Sequence, residues 1–283
     1  MATEAPLPVL IQGGMGVGVS RWLLAREVSR LGQLGVVSGT ALDSLLVRRL
    51  QDGDSDGEMR RAIDAFPIPD VGAAVLQRYF LPNGREPGRP YALVPLYKQQ
   101  VNIARQQLSM LANFVELFLA RSGHHGAVGI NLLTKLQLPN LASLHGAMLA
   151  GFTYVLMGAG IPREVPLALD RIASHEMATL HFDVEGATAA DAPVLSFDPV
   201  AHGADVTRVL SRPQFLAIVA ANSLAATLAR KASGRACGFV VEGPTAGGHN
   251  APARGAVPCR APANRSTGNA WVIGARPNRS RTS

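Results

Sequence analysis

Residues 241–255 read VEGPTAGGHNAPARG, and they follow residues 236–241 (ACGFVV), an apolar run typical of a buried strand. A strand that ends near Gly247 and Gly248 places the imidazole of His249 beside a backbone without side chains. Paired glycines let a flat ring or a phosphate come close to the backbone, and an imidazole exchanges protons near neutral pH. A turn with a solvated histidine explains this stretch alone equally well. Other parts of the sequence are therefore needed to distinguish a binding loop from a simple turn.

Four more segments place glycine or polar residues where an apolar run ends. They are residues 8–20 (PVLIQGGMGVGVS), 35–43 (GVVSGTALD), 129–135 (GINLLTK) and 154–162 (YVLMGAGIP). Together with the Gly-Gly-His loop, and in this order, they resemble the nitronate monooxygenase family, formerly called 2-nitropropane dioxygenases. The resemblance covers residues 8 to about 254, and it implies an FMN-binding (β/α)8 barrel with an added domain.

Short apolar runs alternate with amphipathic helical patterns, which is typical of βα units around a parallel sheet. The alternation predicts an α/β fold with about six strands, and the resemblance makes it an incomplete (β/α)8 TIM-barrel type. Ser20 and Asp43 are expected to cap helices at residues 21–31 and 44–50. Strands are predicted at residues 9–12, 34–38, 128–132, 154–157 and 238–241, with three intermediate candidates at 179–184, 193–197 and 215–220.

A helical insertion at about residues 51–123 interrupts the alternation. Its longest predicted helix spans residues 98–121, and one apolar face runs along it. Amphipathic faces normally bury, so we expect this face to pack in the core rather than to serve as a lid. The face consists of Val101, Ala104, Leu108, Leu111, Val115 and Leu119.

The last 29 residues, 255–283, differ from the rest in composition. They contain no leucine and no acidic residue, and only residues 271–273 form an apolar run. We expect residues 1–254 to be the FMN-binding barrel and residues 255–283 to be a non-native, out-of-frame terminus with the last barrel strands missing. A genuine disordered basic tail is the alternative.

The charge distribution and the composition exclude several classes of function. The net charge is +7, but six arginines after residue 250 account for most of it, so residues 1–250 carry only +1. This distribution argues against nucleic-acid binding. The two cysteines give neither a disulfide framework nor a metal cluster. We also expect no metal site, no membrane span and, without a signal peptide, a cytoplasmic location.

The resemblance assigns roles to individual residues. His249 matches the family's catalytic acid/base, and a Rossmann interpretation of the first glycine loop fails because Arg21 stands where a glycine is required. Glu242 occupies a position where the family commonly has a glutamine that touches the flavin. Asn131 can contact flavin ring atoms, although a helix cap or turn is its ordinary role. The implied FMN-binding residues are Gln12, Gly13, Gly14, Met15, Asn131, Glu242, Gly247 and Gly248.

The implied activity is oxidation of alkyl nitronates by FMN and O2. Two alternatives stay open. Flavin-dependent enoyl-[acyl carrier protein] and quinone reductases share the barrel and the Gly-Gly-His loop but oxidise NAD(P)H. The second alternative is an inactive, truncated barrel that binds no flavin. The sequence leaves the physiological substrate and the oligomeric state open.

Overall fold

A computed structural model describes residues 8–98, 100, 102–182, 184, 193–234 and 237–243, and the backbone of 270–274. Within this part the chain is an α/β fold with a mostly parallel sheet. Of the expected terminus at residues 255–283, the structure describes one strand, so the division at residue 254 stays a prediction.

The described residues form eight helices and eight strands. The helices are α1 (Trp22–Arg30), α2 (Leu42–Gln51), α3 (Glu58–Asp64), α4 (Pro69–Tyr79), α5 (Ile103–Arg121), α6 (Asn140–Leu149), α7 (Val165–Ala173) and α8 (Asn222–Lys231). The strands are β1 (Gly35–Ser38), β2 (Val128–Leu133), β3 (Tyr154–Gly158), β4 (Ala178–His181), β5 (Val194–Phe197), β6 (Gln214–Val219), β7 (Gly238–Glu242) and β8 (Ala270–Gly274).

The main sheet has the order β1-β2-β3-β6-β7-β8 among the described residues. Neighbouring strands in this order pair in parallel from β1 through β2, β3 and β6 to β7, and β8 pairs with β7 in the antiparallel direction. The strand expected at residues 9–12 is reduced to one parallel bridge between Ile11 and Leu34, which extends the sheet beyond β1. The parallel strands therefore follow one another in chain order, without a reversal.

Of the three intermediate strand candidates, only the last joins the main sheet, as β6. β4 and β5 form a separate two-stranded antiparallel sheet. In β4 the burial alternates residue by residue, which is the pattern of a sheet with one solvated face. The parallel strand β1, in contrast, is buried along its whole length.

The two faces of the main sheet carry separate apolar clusters. The larger cluster includes residues from all eight described helices, together with strand residues such as Val37 and Ile130. The smaller cluster contains no helical residue among those described. Its buried members are Leu34, Val36, Leu156, Leu216 and Val240. The described helices thus pack on one face of the sheet, and the smaller cluster marks the helix-free face.

Helix α5 is the centre of the larger cluster. The expectation that its apolar face packs in the core is confirmed for Leu108, Leu111, Val115 and Leu119, which are all buried. It is wrong for Ala104, which is exposed near the start of the helix, and Val101 lies outside the described residues. The helix begins at Ile103 rather than at residue 98, and Asn102 caps it through its side-chain oxygen. Helix α4 in the insertion was not predicted, although Pro69 at its first turn is a typical start signal.

Neither predicted helix cap forms. The Ser20 Oγ donates to the carbonyl oxygen of Met15 at 2.6 Å, so it closes the preceding loop instead. Asp43 lies inside the first turn of α2, where its carboxylate pairs with Arg105. A short polar side chain before an apolar helix can serve either purpose, and here tertiary partners decide.

In the described residues no helix combines the length and the apolar character that crossing a membrane requires.

Candidate functional site

The glycine loop (residues 12–15) follows the bridge at Ile11 and is held by the amide of Gln12. The Gln12 Oε1 accepts a hydrogen bond from the backbone N–H of Val36 at 3.0 Å, and its Nε2 donates to the Ser20 Oγ at 3.0 Å. Because both ends of the amide are engaged, Gln12 supports the loop from within the protein. What the loop presents outward is backbone, most of all at the exposed Gly13.

Gly14 is the position in this loop that only glycine can occupy. Its φ of +66° is rarely adopted by residues with a side chain. A Cβ there would lie 2.4 Å from the Cγ1 of Val36 and 3.0 Å from the Cβ of Asn131. The absence of a side chain thus lets the loop lie directly against β1 and β2.

Asn131 ties the loop to the sheet from β2. Its Nδ2 donates to the carbonyl oxygen of Gly13 at 2.8 Å and lies 3.4 Å from the Sδ of Met15. Asn131 is almost fully buried. The structure therefore brings together five of the residues expected at a flavin site, namely Gln12, Gly13, Gly14, Met15 and Asn131. The Asn131 amide N–H groups are engaged with the loop.

Glu242 lies at the carboxyl end of β7, on the same face as Asn131. Asn131 is in register with Leu156 of β3, and residues in register point to the same side. Val240 belongs to the helix-free cluster with Leu156, and Glu242 follows it by two residues on the same face. Three strand steps separate Glu242 from Asn131 in the sheet order.

The predicted catalytic His249 and its neighbours Gly247 and Gly248 lie outside the described residues. Their assignment stays a prediction. β7 does end at Glu242, so the strand expected before this stretch is present.

The described residues can be compared with the ring of a flavin, but not with its phosphate. Exposed backbone at Gly13 and the apolar residues of the helix-free cluster suit a flat, partly apolar ring. Gly158 at the end of β3 leaves no room for a ring, because it is buried and an added Cβ would lie 2.9 Å from the Cβ of Ile218. The glycine loops that hold the FMN phosphate in the resembled family belong to the last barrel strands, which we expect to be missing from this chain, so the described residues do not test phosphate binding.

A cavity of about 430 Å³ lies on the other, helix-bearing side of the sheet. It is half open to solvent and is lined by the segments that follow β1 and β2, by α5 and α6, and by residues 94–97. Its polar lining centres on the ion pair of Arg105 with Asp43, at 2.5 Å between Nη2 and Oδ2. Ser109 donates to the same carboxylate at 3.1 Å, and the Tyr97 hydroxyl donates to Ser109 at 2.7 Å. Burial raises the pKa of the Tyr97 hydroxyl, which keeps it protonated as this donor.

The sequence carries a signal for this cavity in the spacing of polar residues along α5. Arg105, Ser109 and Asn113 recur every four residues on a largely buried helix, so they share one face of α5. A polar stripe on a buried helix indicates either internal hydrogen bonds or a lined cavity. Here it does both.

Two buried histidines lie beside β5. His145 is fully buried, and neither ring nitrogen has a hydrogen-bond partner among the described residues. Burial, with smaller contributions from His202 and His175, lowers the pKa of His145 from 6.5 to about 3. The Nδ1 of His202 lies 2.8 Å from the carbonyl oxygen of Asp198 and its Nε2 lies 2.8 Å from Gln106, and burial lowers its pKa too. Both rings are neutral at pH 7, and each contacts Phe197.

The part of the chain that the structure describes holds no group of three or more histidine, cysteine or acidic side chains able to bind a metal ion. No protein-family model matches the chain, and no curated protein matches it either.

Proposed function

We propose that the protein binds FMN at the carboxyl ends of its parallel strands and oxidises alkyl nitronates with O2. The observation that supports this most is the hydrogen bond from Asn131 to Gly13, which fixes an exposed glycine backbone at the end of the sheet. Ligands of parallel α/β sheets bind at this edge.

The proposal includes the finer fold, a (β/α)8-type barrel. A doubly wound sheet reverses its strand order and covers both faces with helices. Here the parallel strands run in chain order, and residues of the described helices join only the cluster on one face. Both features are those of strands curling around an inner face. In that arrangement Asn131 and Glu242 point toward the barrel interior.

The chain's own residues would then bind and orient the ring. The backbone of Gly13 and Met15 would lie along one ring edge, with Asn131 holding the loop in place. Leu156 and Ile218 would keep water from the underside of the ring, since both belong to the helix-free cluster. FMN, when bound, supplies the redox chemistry; the protein supplies position and a dry environment.

Two residues would set the proton and charge environment. His249 would orient the nitronate or remove the α-proton of a neutral nitroalkane, as the resemblance implies. A carboxylate at Glu242 disfavours extra negative charge on the ring side that it faces. This differs from the glutamine common in the family, and it predicts a lower affinity for the reduced, anionic cofactor than for the oxidised one.

An anaerobic titration separates the proposal from its alternatives. The full chain is purified, incubated with FMN and freed of excess cofactor, and its absorbance in the flavin bands is followed. Bleaching by ethyl nitronate, with no bleaching by NADH or NADPH, is the expected result. Rapid bleaching by a nicotinamide cofactor alone would favour the NAD(P)H oxidoreductase alternative. Absence of any bound flavin would favour a non-catalytic protein.

A further inference from the structure

We propose that residues 175–202 form a pH-sensitive cover over α6, which opens locally when His145 gains a proton. The cover carries β4 and β5, and its described residues are 175–182, 184 and 193–202. It lies on the helix-bearing side of the sheet, so neither the device nor its test requires a bound flavin.

The cover is what seals the ring of His145. His145 is fully buried on α6, and its ring centroid lies 5.2 Å from that of Phe197 in β5. Phe197 in turn stacks on His202 at 4.4 Å between centroids. The ionisable groups that act on His145 are His202 and His175. Because all three of these neighbours belong to the cover, its departure would expose His145 to water while α6 stays in place.

The closed cover gives His145 nothing to bind a proton with. Neither ring nitrogen has a hydrogen-bond partner among the described residues. A charged imidazole there would be both desolvated and unpaired, which is strongly unfavourable. Burial therefore lowers the pKa of His145 from 6.5 to about 3, and the neighbouring His202 and His175 lower it further in the same direction. Water can satisfy both nitrogens once the cover opens.

The other ionisable side chains around α6 have partners elsewhere and do not compensate a charge on His145. Asp198 lies beside His202 and acts on that ring. On α5, α7 and β4, and in the loop after the cover, the pairs are Arg105 with Asp43, Glu116 with Arg49, Arg121 with the Ala150 carbonyl, Asp170 with Arg212, Arg171 with the Met177 carbonyl, His181 with Glu164, Asp205 with Thr207 and Arg208 with the Leu149 carbonyl.

The cover can open without breaking the main sheet. β4 and β5 pair with each other and, among the described residues, with no strand of the main sheet. From outside the cover, Glu164 accepts a hydrogen bond from the His181 backbone N–H at 2.8 Å. The remaining attachment is apolar packing of side chains such as Leu180, Leu195 and Phe197. Units held in this way open at a lower free energy than the whole fold.

The pKa of His145 fixes the direction of the response. The closed form has the lowered pKa, so the open form binds the proton first as the pH falls from 6.5 toward 3. Between pH 7 and pH 5, His145 alone should raise the opening constant about 25-fold. Phe182 of the cover lines the cavity of about 430 Å³. Opening would therefore also remove one wall of that cavity.

Hydrogen exchange of the full chain, read by mass spectrometry at pH 7 and pH 5, tests the cover. Protection is corrected for the intrinsic exchange rate at each pH. Peptides from β4 and β5 should be less protected than peptides from β2 at both pH values, and their protection should fall at least about 25-fold on acidification. Equal protection of β5 and β2 would mean that His145 is exposed only by global unfolding. That result, or protection of β5 that does not change with pH, would overturn the proposal.

Two variants assign the response to His145. His145→Leu removes the titrating ring, so the fall in β5 protection between pH 7 and pH 5 should shrink by about 25-fold. His125→Leu is the matched control, because His125 is exposed, and it should keep the full response. A full response in His145→Leu would refute the role of His145. If that variant does not fold, the comparison of β5 with β2 in the unmodified chain still decides.

Discussion

The carboxylate of Glu116 accepts a hydrogen bond from the backbone N–H of Trp22 at 2.8 Å, so a residue of α5 caps the start of α1 from 94 positions away in the chain. Its other oxygen accepts from the Arg49 guanidinium of α2 at 2.6 Å. Glu116 thus joins three helices at one buried point. A carboxylate at a helix N-terminus also interacts favourably with the helix dipole.

Glu116→Ala should lower the free energy of unfolding by about 3–5 kcal/mol, because it leaves Arg49 without its buried partner and α1 without its cap. Glu116→Gln keeps an acceptor for Trp22 and should cost less. Urea unfolding measures both. Glu27→Ala breaks only exposed pairs with arginines and serves as the control, with an expected change within about 0.5 kcal/mol. Equal losses for the alanine variants of Glu116 and Glu27 would contradict the role of Glu116.

Gly14→Ala should destabilise the protein by several times more than Gly32→Ala. Both glycines have positive φ, +66° and +74°, so both variants incur the backbone penalty of about 1–2 kcal/mol. Only at Gly14 does the new Cβ clash, 2.4 Å from Val36, whereas nothing lies within 4 Å at Gly32. Urea unfolding gives the stability difference, and flavin absorbance gives the effect on FMN. We expect FMN to be lost at Gly14 alone; undiminished FMN binding in Gly14→Ala would count against the loop as a ring-binding element.

The stability of the protein should fall as the pH is lowered from 6.5 toward 3. The folded state lowers the pKa of His145 to about 3, while the unfolded chain protonates near 6.5. Between pH 6.5 and 3 the unfolded state therefore binds more protons than the folded state. His145 alone then lowers the free energy of unfolding by at most about 1.4 kcal/mol for each pH unit of acidification. Urea unfolding at several pH values should show a shallower slope in His145→Leu. His125→Leu changes an exposed ring and should keep the original slope; identical slopes in both variants would refute the assignment.

His249→Asn should lower the turnover of a neutral nitroalkane by about 10²–10⁴-fold in the flavin-loaded protein, because a positioned general base contributes that much. A nitronate already lacks the α-proton, so its oxidation should be affected less. Steady-state oxygen consumption measures both substrates, with His125→Asn as a surface control. A value of kcat/KM within twofold of the unmodified protein for the neutral substrate would exclude a catalytic His249.

The sequence predicted the parallel strands well because each is a short, mainly apolar run between helical patterns. The bounds of β2 and β3 agree to within a residue of the predicted ones. The convergence of Asn131 with residues 12–15 also followed from the pattern, since carboxyl ends of parallel strands meet at one edge. The chemistry expected there, with FMN, His249 and nitronate oxidation, stays a prediction.

The errors share a physical cause, which is that a polar side chain's partner lies far away in the sequence. Ser20 has the composition of a cap, but the actual cap of α1 comes from Glu116. Asp43 is also expected to be a cap, yet it pairs with Arg105 of α5 at 2.5 Å. The sequence left open which of the intermediate strand candidates join the main sheet, and β4 and β5 pair with each other instead.

The strand order has a consequence for how the chain acquires its structure during synthesis. Because each parallel strand joins the edge left by its predecessor, a chain emerging from the ribosome can add strands one at a time without undoing earlier pairs. The longest delay falls between β1 and β2, where α2–α5 must appear first. Since α5 packs on α1, α2 and α6, we expect its arrival to convert a loose N-terminal segment into a template for the remaining strands.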